Sequence, residues 1–485
     1  MRRRLAIVAA TVCSVLLFSI CTAAGTSAAG SAPPAGLMGI WGTAEVVPGT
    51  AALNSGGAAA VTAMSCASPG DCSAGGSYRD GLFHIQVFVV GQSNGTWGMA
   101  EEVPGTAALN KGGSAQVTSV SCASVGNCSA GGDYTDGSFR NQAFVVGQSN
   151  GTWGMAEEVP GTAALNKGGS AQVTSVSCAS VGNCSAGGFY LNNSGHAQAF
   201  VVSETGGTWG MAEEVPGTVA LNKGGTAQVA SVSCASVGNC SAGGSYRDGS
   251  GHMQAFDVAE TNGTWGNAKE VPGIAALNTG GAAQLTSVSC ASVGSCSAGG
   301  DYLDGSGHAQ AFAVTETNGT WGNAKRVPGT AALNTGGAAQ LTSVSCASVG
   351  NCSAGGFYRD AFGNIEAFVV RQTNGMWGNA KEVPGTAALN TGGDAAIAAV
   401  SCASAGNCGA GGVYTDSSHH RQAFVVSEAN GTWGAAREVP GTAALNTGGN
   451  AEIISVSCAA AGKCSAGGRY EDGASHRQAF VVSET

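Results

Sequence analysis

The sequence predicts an all-β chain that closes into an eight-bladed β-propeller of four-stranded antiparallel blades. Three observations predict it. Tryptophan recurs at Trp41, Trp97, Trp153, Trp209, Trp265, Trp321, Trp377 and Trp433, a step of 56 residues without insertion or deletion. Each unit carries four short strand-like runs with turn residues between them, and no stretch shows helical periodicity with caps. Trp41 to Thr485 spans 445 residues, three short of eight full units. The chain is thus expected to start on an outermost strand and end on the third strand of the last blade. Pairing of Trp41–Pro48 with Gln478–Ser483 would then complete that blade and close the ring, whereas an open solenoid would need distinct caps.

In chain order, Arg2, Arg3 and Arg4 precede an apolar run from Leu5 to Ile20 and small residues at Thr22-Ala23-Ala24 and Ser27-Ala28-Ala29. This pattern reads as a secretory signal peptide over residues 1–29 rather than a retained anchor, because the run is short and no stop-transfer pattern follows. Residues 30–40 read as a flexible tail, and residues 41–485 as the repeat propeller. A unit opens on Trp-Gly-x-Ala-x-x-Val-Pro-Gly, passes through Thr-Ala-Ala-Leu-Asn-x-Gly-Gly, and reaches a strand ending Ser-Val-Ser-Cys. A five-residue turn (Ala179 to Asn183 in one copy) leads to Cys-Ser-Ala-Gly-Gly-x-Tyr. A variable turn precedes Gln-Ala-Phe-Val-Val-Ser-Glu, and Asn-Gly-Thr, a strong hairpin turn, leads to the next Trp.

Composition bounds the class. Hydrophobic residues make up 43%, enough for a core, and only 10% of residues are charged, which argues against disorder. Glycine is abundant, 80 residues, but no G-X-Y period exists. Net charge is −10, and losing three arginines with the signal takes it to −13, so nucleic acid is excluded as a partner. No membrane span is expected after signal cleavage, and no cofactor is implied.

Two of the 18 cysteines lie in the signal. The other sixteen form eight Cys-x5-Cys pairs: Cys66/Cys72, Cys122/Cys128, Cys178/Cys184, Cys234/Cys240, Cys290/Cys296, Cys346/Cys352, Cys402/Cys408 and Cys458/Cys464. In an exported chain these read as disulfides stapling the hairpin of the first two strands. Zinc would want closer spacing and four ligands, so no metal site is expected. Closing so short a loop contributes ~2 kcal/mol in the chain-entropy model. The one Trp, Tyr and Phe per unit are expected to fill the spaces between blades.

The turn Ser203-Glu204-Thr205-Gly206-Gly207-Thr208-Trp209 resembles the Asp-box, the Ser-x-Asp-x-Gly-x-Thr-Trp turn of sialidase-type propellers. It sits between third and fourth strands as the Asp-box does, but it is one residue shorter and lacks the Asp. More broadly, the chain resembles secreted bacterial repeat propellers. The resemblance implies the blade plan, and function cannot be carried over on that plan alone. A sialidase-like site would need converging arginines, a tyrosine nucleophile and carboxylates. Arg79, Arg247 and Arg359 instead lie on separate blades beside a turn, and no other catalytic motif occurs. No catalytic residue is assigned.

Two rings vary between units. His84, His196, His252, His308, His420 and His476 share one position in the turn between the second and third strands, where Arg140 and Asn364 stand in the other two units. Four residues earlier stand Asp80, Asp136, Asn192, Asp248, Asp304, Asp360, Asp416 and Asp472. A local Asp–His ion pair closing each hairpin is one reading, and a ring of polar, partly cationic tips that binds a ligand is the other. The binding residues assigned on the second reading are Asp80, His84, His196, Asp248, His252, Asp304, His308, Asp416, His420, Asp472 and His476. The other ring runs Glu45, Glu101, Glu157 and Glu213, then Lys269, Lys325, Lys381 and Arg437, half acidic and half basic on an exposed edge strand.

The sequence thus points to a secreted, extracellular, monomeric, non-enzymatic binding or structural scaffold, whose repeated sites suit a polysaccharide or a cell-surface protein through avidity. A glycoside-hydrolase-type, sialidase-like enzyme and a self-associating surface structural protein are the rival readings.

Overall fold

The computed structural model describes residues 39–485, so the signal segment and most of the 30–40 tail lie outside the described residues. Eight antiparallel sheets follow one another along the chain. We number the blades one to eight in chain order. Blade two is representative, with strands at Ala115–Ser124, Asn127–Thr135 and Asn141–Ser149. Its fourth strand is split into Thr152–Trp153 and Glu157–Glu158, and both pieces pair with the third strand.

The ring closes as the termini predict. Glu45 and Val46 pair with Val481 and Phe480, and Trp41 bridges to Glu484, so the start of the described chain supplies the outer strand of blade eight. The inner wall closes independently. Each first strand is an edge whose amide groups need partners, and the serine before each first cysteine supplies one. Ser65 Oγ accepts from the Cys122 amide (3.0 Å), and the step repeats around the ring until Ser457 Oγ accepts from the Cys66 amide (2.9 Å). The Ser-Cys dipeptide is therefore a blade-to-blade clasp as well as a disulfide position.

Two adjacent glycines make room for this packing, one between blades and one within the blade. A Cβ on Gly131 would stand 2.7 Å from Cγ1 of Val173 in the next blade, and one on Gly132 would collide with the Gln116 carbonyl at a bulge of the first strand. The core lies between blades. Phe144 is fully buried, and Tyr134 and Trp153 nearly so, among Val, Ala and Cys side chains of the two facing sheets.

Two expectations about local structure need correction. The turn between the cysteines is not five residues long, because the strands run to Ser180 and resume at Asn183, leaving Val181-Gly182 at the tip with Cys178 directly opposite Cys184. A one-turn helix, such as Thr106–Leu109, stands where no helix was expected. It is too short to show a period, and a left-handed Gly105 opens it in place of a capping side chain.

All eight disulfides form within their own blades, as the spacing predicts: Cys66–Cys72, Cys122–Cys128, Cys178–Cys184, Cys234–Cys240, Cys290–Cys296, Cys346–Cys352, Cys402–Cys408 and Cys458–Cys464. Besides stapling the hairpin of the first two strands, each bridge also packs against the neighbouring blade. The second cysteine of each pair is buried: Cys72, Cys128, Cys184, Cys240, Cys296, Cys352, Cys408 and Cys464 are only 3–5% exposed. The reason is that the second strand packs against the preceding blade. Cys72 Sγ lies 3.5 Å from Ser465 Oγ and Cys240 Sγ 3.3 Å from Ser185 Oγ, each serine belonging to the blade before. In blade seven that serine is replaced by Gly409, where a Cβ would stand 2.8 Å from Cys464 Sγ of blade eight. The bridges are thus part of the seam between blades, and their spacing in sequence carries no sign of that.

Candidate functional site

The turns between second and third strands share one end of the ring with the loops that connect blades. Asp80 builds its turn through the backbone. Its Oδ1 accepts from the amides of Leu82 (2.8 Å) and His84 (2.9 Å), and its Oδ2 from Gln86 Nε2 (3.2 Å). Gln86 Oε1 in turn accepts from Asn110 Nδ2 (2.8 Å), on the loop entering blade two. Asp248, Asp304, Asp416 and Asp472 repeat the arrangement with Gln254, Gln310, Gln422 and Gln478. Desolvation is the largest single influence and opposes ionisation of these carboxyls, but the converging amide and glutamine donors together outweigh it and hold all five below the ordinary aspartate range.

The Asp–His ion pair expected in each turn forms in only one, His84 Nδ1 lying 3.7 Å from Asp80 Oδ2. In all six turns the imidazole leans over a glycine of the next blade: Gly113, Gly225, Gly281, Gly337, Gly449 and Gly57 sit under His84, His196, His252, His308, His420 and His476. The side of each ring away from that glycine faces solvent, and all six residues are exposed. The Asp side chains are thus committed to turn and blade contacts, whereas the imidazoles form an accessible ring.

The turn tips carry a feature that sequence reasoning passed over. Phe83 and Phe139 have φ of 65° and 58°, and they stand where blades three to six have Gly195, Gly251, Gly307 and Gly363 and blades seven and eight have the left-handed His419 and Ser475. Both are solvent-exposed, 72% and 80%, and Phe362, one position earlier in blade six, is 91% exposed. Repeat alignment holds the signal, since these are the only large apolar residues in that column.

At the other end of the ring, each seam between blades contains a buried Glu or Gln that sequence analysis also missed: Gln92, Gln148, Glu204, Glu260, Glu316, Gln372, Glu428 and Glu484. In the seam between blades three and four, Glu260 accepts from Ser185 Oγ (2.9 Å) on Oε2 and from Ser203 Oγ (2.7 Å) on Oε1, and Ser203 accepts from Trp265 Nε1 (3.2 Å). Blades seven and eight repeat the latter half, with Ser427 donating to Glu484 Oε1 (2.5 Å) and accepting from Trp41 Nε1 (3.0 Å). Desolvation raises the carboxyls of Glu204, Glu316, Glu428 and Glu484 above the ordinary range.

The charge ring of the fourth strands is exposed throughout, with its acidic run on blades eight, one, two and three and its basic run on blades four to seven. Among the described residues, no three metal-ligating side chains come together, and no helix is long and apolar enough to cross a membrane. Eight disulfides accord with an extracellular protein.

The architecture defines a disulfide-stapled, eight-bladed β-propeller. No family model and no curated protein matches the chain. Solved structures similar to it include a Hadza microbial sialidase, at 10% identity over 91% of this chain and 68% of that one, with a TM-score of 0.35. A polysaccharide lyase described as an ulvan lyase is 8% identical over 83% of this chain and 95% of its own, TM-score 0.40. A mutant of the Aleuria aurantia lectin, in complex with α-methyl-L-fucoside, is 10% identical over 79% and 96%, TM-score 0.33.

Proposed function

We propose that the protein is a secreted, non-enzymatic scaffold that recognises glycan or other cell-surface material multivalently, through the end of the ring bearing the Asp/His turns. The observation that carries this reading is the pair of exposed, left-handed phenylalanines. A left-handed conformation costs a non-glycine residue about 1–2 kcal/mol; four sister blades avoid it with glycine, two adopt it with the polar His419 and Ser475, and only Phe83 and Phe139 place a large apolar side chain there. Phe83 and Phe139 bury too little to offset that cost within the fold. A flat apolar face on a turn tip suits stacking against a sugar ring or an apolar patch of a partner, and the neighbouring imidazoles add hydrogen-bonding groups.

The test is retention of the mature protein on insoluble cell-wall polysaccharide between about pH 5 and 8. Replacing Phe83→Gly with Phe139→Gly should leave folding intact or slightly improved, yet lower retention several-fold, because avidity multiplies small losses at each site. Replacing both His252→Ala and His308→Ala should also weaken retention, by less than the phenylalanine pair. Failure of the parent to bind, or identical binding by parent and variants at every pH, overturns the reading.

A further inference from the structure

The seams repeat one hydroxyl site, and one seam opens it. Between blades three and four the hydroxyl of Ser203 donates to Glu260 Oε1 and accepts from Trp265 Nε1. Between blades two and three the same construction presents Glu204 and Trp209, but the residue in the serine position is Gly147. Nothing lies within 4 Å of where a Cβ on Gly147 would stand. Glu204 keeps only its second-strand contact, Ser129 Oγ donating to Oε2 at 3.2 Å, and its Oε1 has no protein partner among the described residues. The residue is nonetheless only 7% exposed.

These groups open into a groove of about 560 Å³, against about 320 Å³ where Ser203 fills the corresponding place. Glu204, Trp209 and Gly147 line it, with Met155 and Val181 as apolar walls that are 71% and 52% exposed. We propose that this groove binds a hydroxyl-rich ligand of the saccharide or polyol class, one hydroxyl taking the place that the Ser203 hydroxyl holds in the next seam. That hydroxyl donates to Glu204 Oε1 and accepts from Trp209 Nε1–H, while a carbon face of the ligand rests on Met155 and Val181. The site lies on the opposite end of the ring from the Asp/His turns and does not depend on them. The seam between blades one and two also has a glycine, Gly91, but an amide, Gln148, replaces the carboxylate, so it lacks the charged acceptor.

The protein with 15N-labelled tryptophan has eight indole N–H signals to follow. Glucose, N-acetylglucosamine and mannitol, each titrated into the millimolar range, are the probes. Gly147→Ser identifies the Trp209 signal, since the new hydroxyl should move it toward those of Trp265 and Trp41. In the parent, at least one probe should shift the Trp209 signal saturably. Gly147→Ser should weaken that response roughly tenfold or more, because the protein hydroxyl then competes for both partners, whereas Gly91→Ser should leave it unchanged. If no probe moves the Trp209 signal, the groove holds water only and the proposal falls. It falls equally if Gly147→Ser responds like the parent, or if Gly91→Ser abolishes the response. None of these results bears on retention through the Asp/His turns, so the two readings fail separately.

Discussion

The seam between blades three and four and the seam between blades four and five come from the same repeat, yet they treat one buried carboxylate differently. In the first, Glu260 is 2% exposed and holds two serine hydroxyls, one of which also accepts from Trp265. In the second, Glu316 is 6% exposed, Ala259 stands where Ser203 stood, and Oε2 is enclosed without a partner. Ser241, the counterpart of Ser185, contacts Cys296 Sγ instead (3.4 Å). A second carboxyl, Asp257, is buried in the same seam, at a third-strand position that is Val or Ala in every other blade. The lesson is that blade packing tolerates a buried acid when hydroxyls saturate it. Without them, desolvation raises the carboxyls of Glu316 and Asp257 above the ordinary range.

The largest effect should follow from removing that second acid. Burial, and then the charge of Glu316, push the Asp257 carboxyl up to about 7, against a partial opposing pull from Lys269. An unfolded aspartate titrates near ~3.9. The folded chain therefore keeps a proton that the unfolded chain releases between those values. Stability from this group is complete at acid pH and is lost as pH rises through about 7, by an amount on the order of a few kcal/mol. Asp257→Val, the residue of six sister blades, should raise the urea midpoint at pH 8 and flatten its decline between pH 4 and 8. An unchanged slope in the variant would show that the two seams do not differ in this way.

A smaller effect should come from damaging the well-formed seam. Ser203→Ala removes the hydroxyl shared by Glu260 Oε1 and Trp265 Nε1, leaving a buried acceptor and a buried donor unpaired. The expected loss is about 1–3 kcal/mol, read as a lower urea midpoint at unchanged m-value. If the variant melts like the parent, hydroxyl saturation is not what separates the two seams.

The propeller itself was legible because each strand and turn is written eight times, so a weak local signal became a strong periodic one. Legibility failed where the period carries no side-chain cue. The Thr106–Leu109 turn of helix is opened by Gly105 without a capping side chain, and the register that places Cys178 opposite Cys184 depends on a bulge. The cysteine pairs were legible as bridges, but the burial of Cys72 or Cys240 against a serine of the preceding blade was not. The Asp/His turns were found, but their bonding was misjudged. The Asp80 carboxylate meets backbone amides and Gln86, contacts that spacing alone does not distinguish from an ion pair to the nearest histidine. The seam carboxylates read as polar turn residues beside Trp, because the groups that bury them belong to the neighbouring blade. Asp257 was visible in principle, since it breaks a column of Val and Ala, and the two left-handed phenylalanines stand in a column that four other units fill with glycine.

The smallest effect is also the most specific. Ala259→Ser gives the seam between blades four and five the hydroxyl that its neighbour has. The substitution adds one oxygen at a position that accommodates serine in blades three, seven and eight, so overpacking is not expected. The new hydroxyl is placed to donate to Glu316 and accept from Trp321, as Ser203 does for Glu260 and Trp265. Desolvation raises the Glu316 carboxyl above its ordinary range, and a donor to the ionised form should draw it back down. Stabilisation of a depressed carboxylate is present at high pH and lost as pH falls. The gain should therefore be about 0.5–1.5 kcal/mol near pH 8 and smaller near pH 4. Combined with Asp257→Val, it should fall short of additivity, because both changes relieve the same pair of buried acids. Urea titrations of the parent, both single variants and the double variant at the two pH values measure this coupling. Full additivity, or a gain larger at pH 4 than at pH 8, would mean that Glu316 and Asp257 do not share one proton-dependent environment.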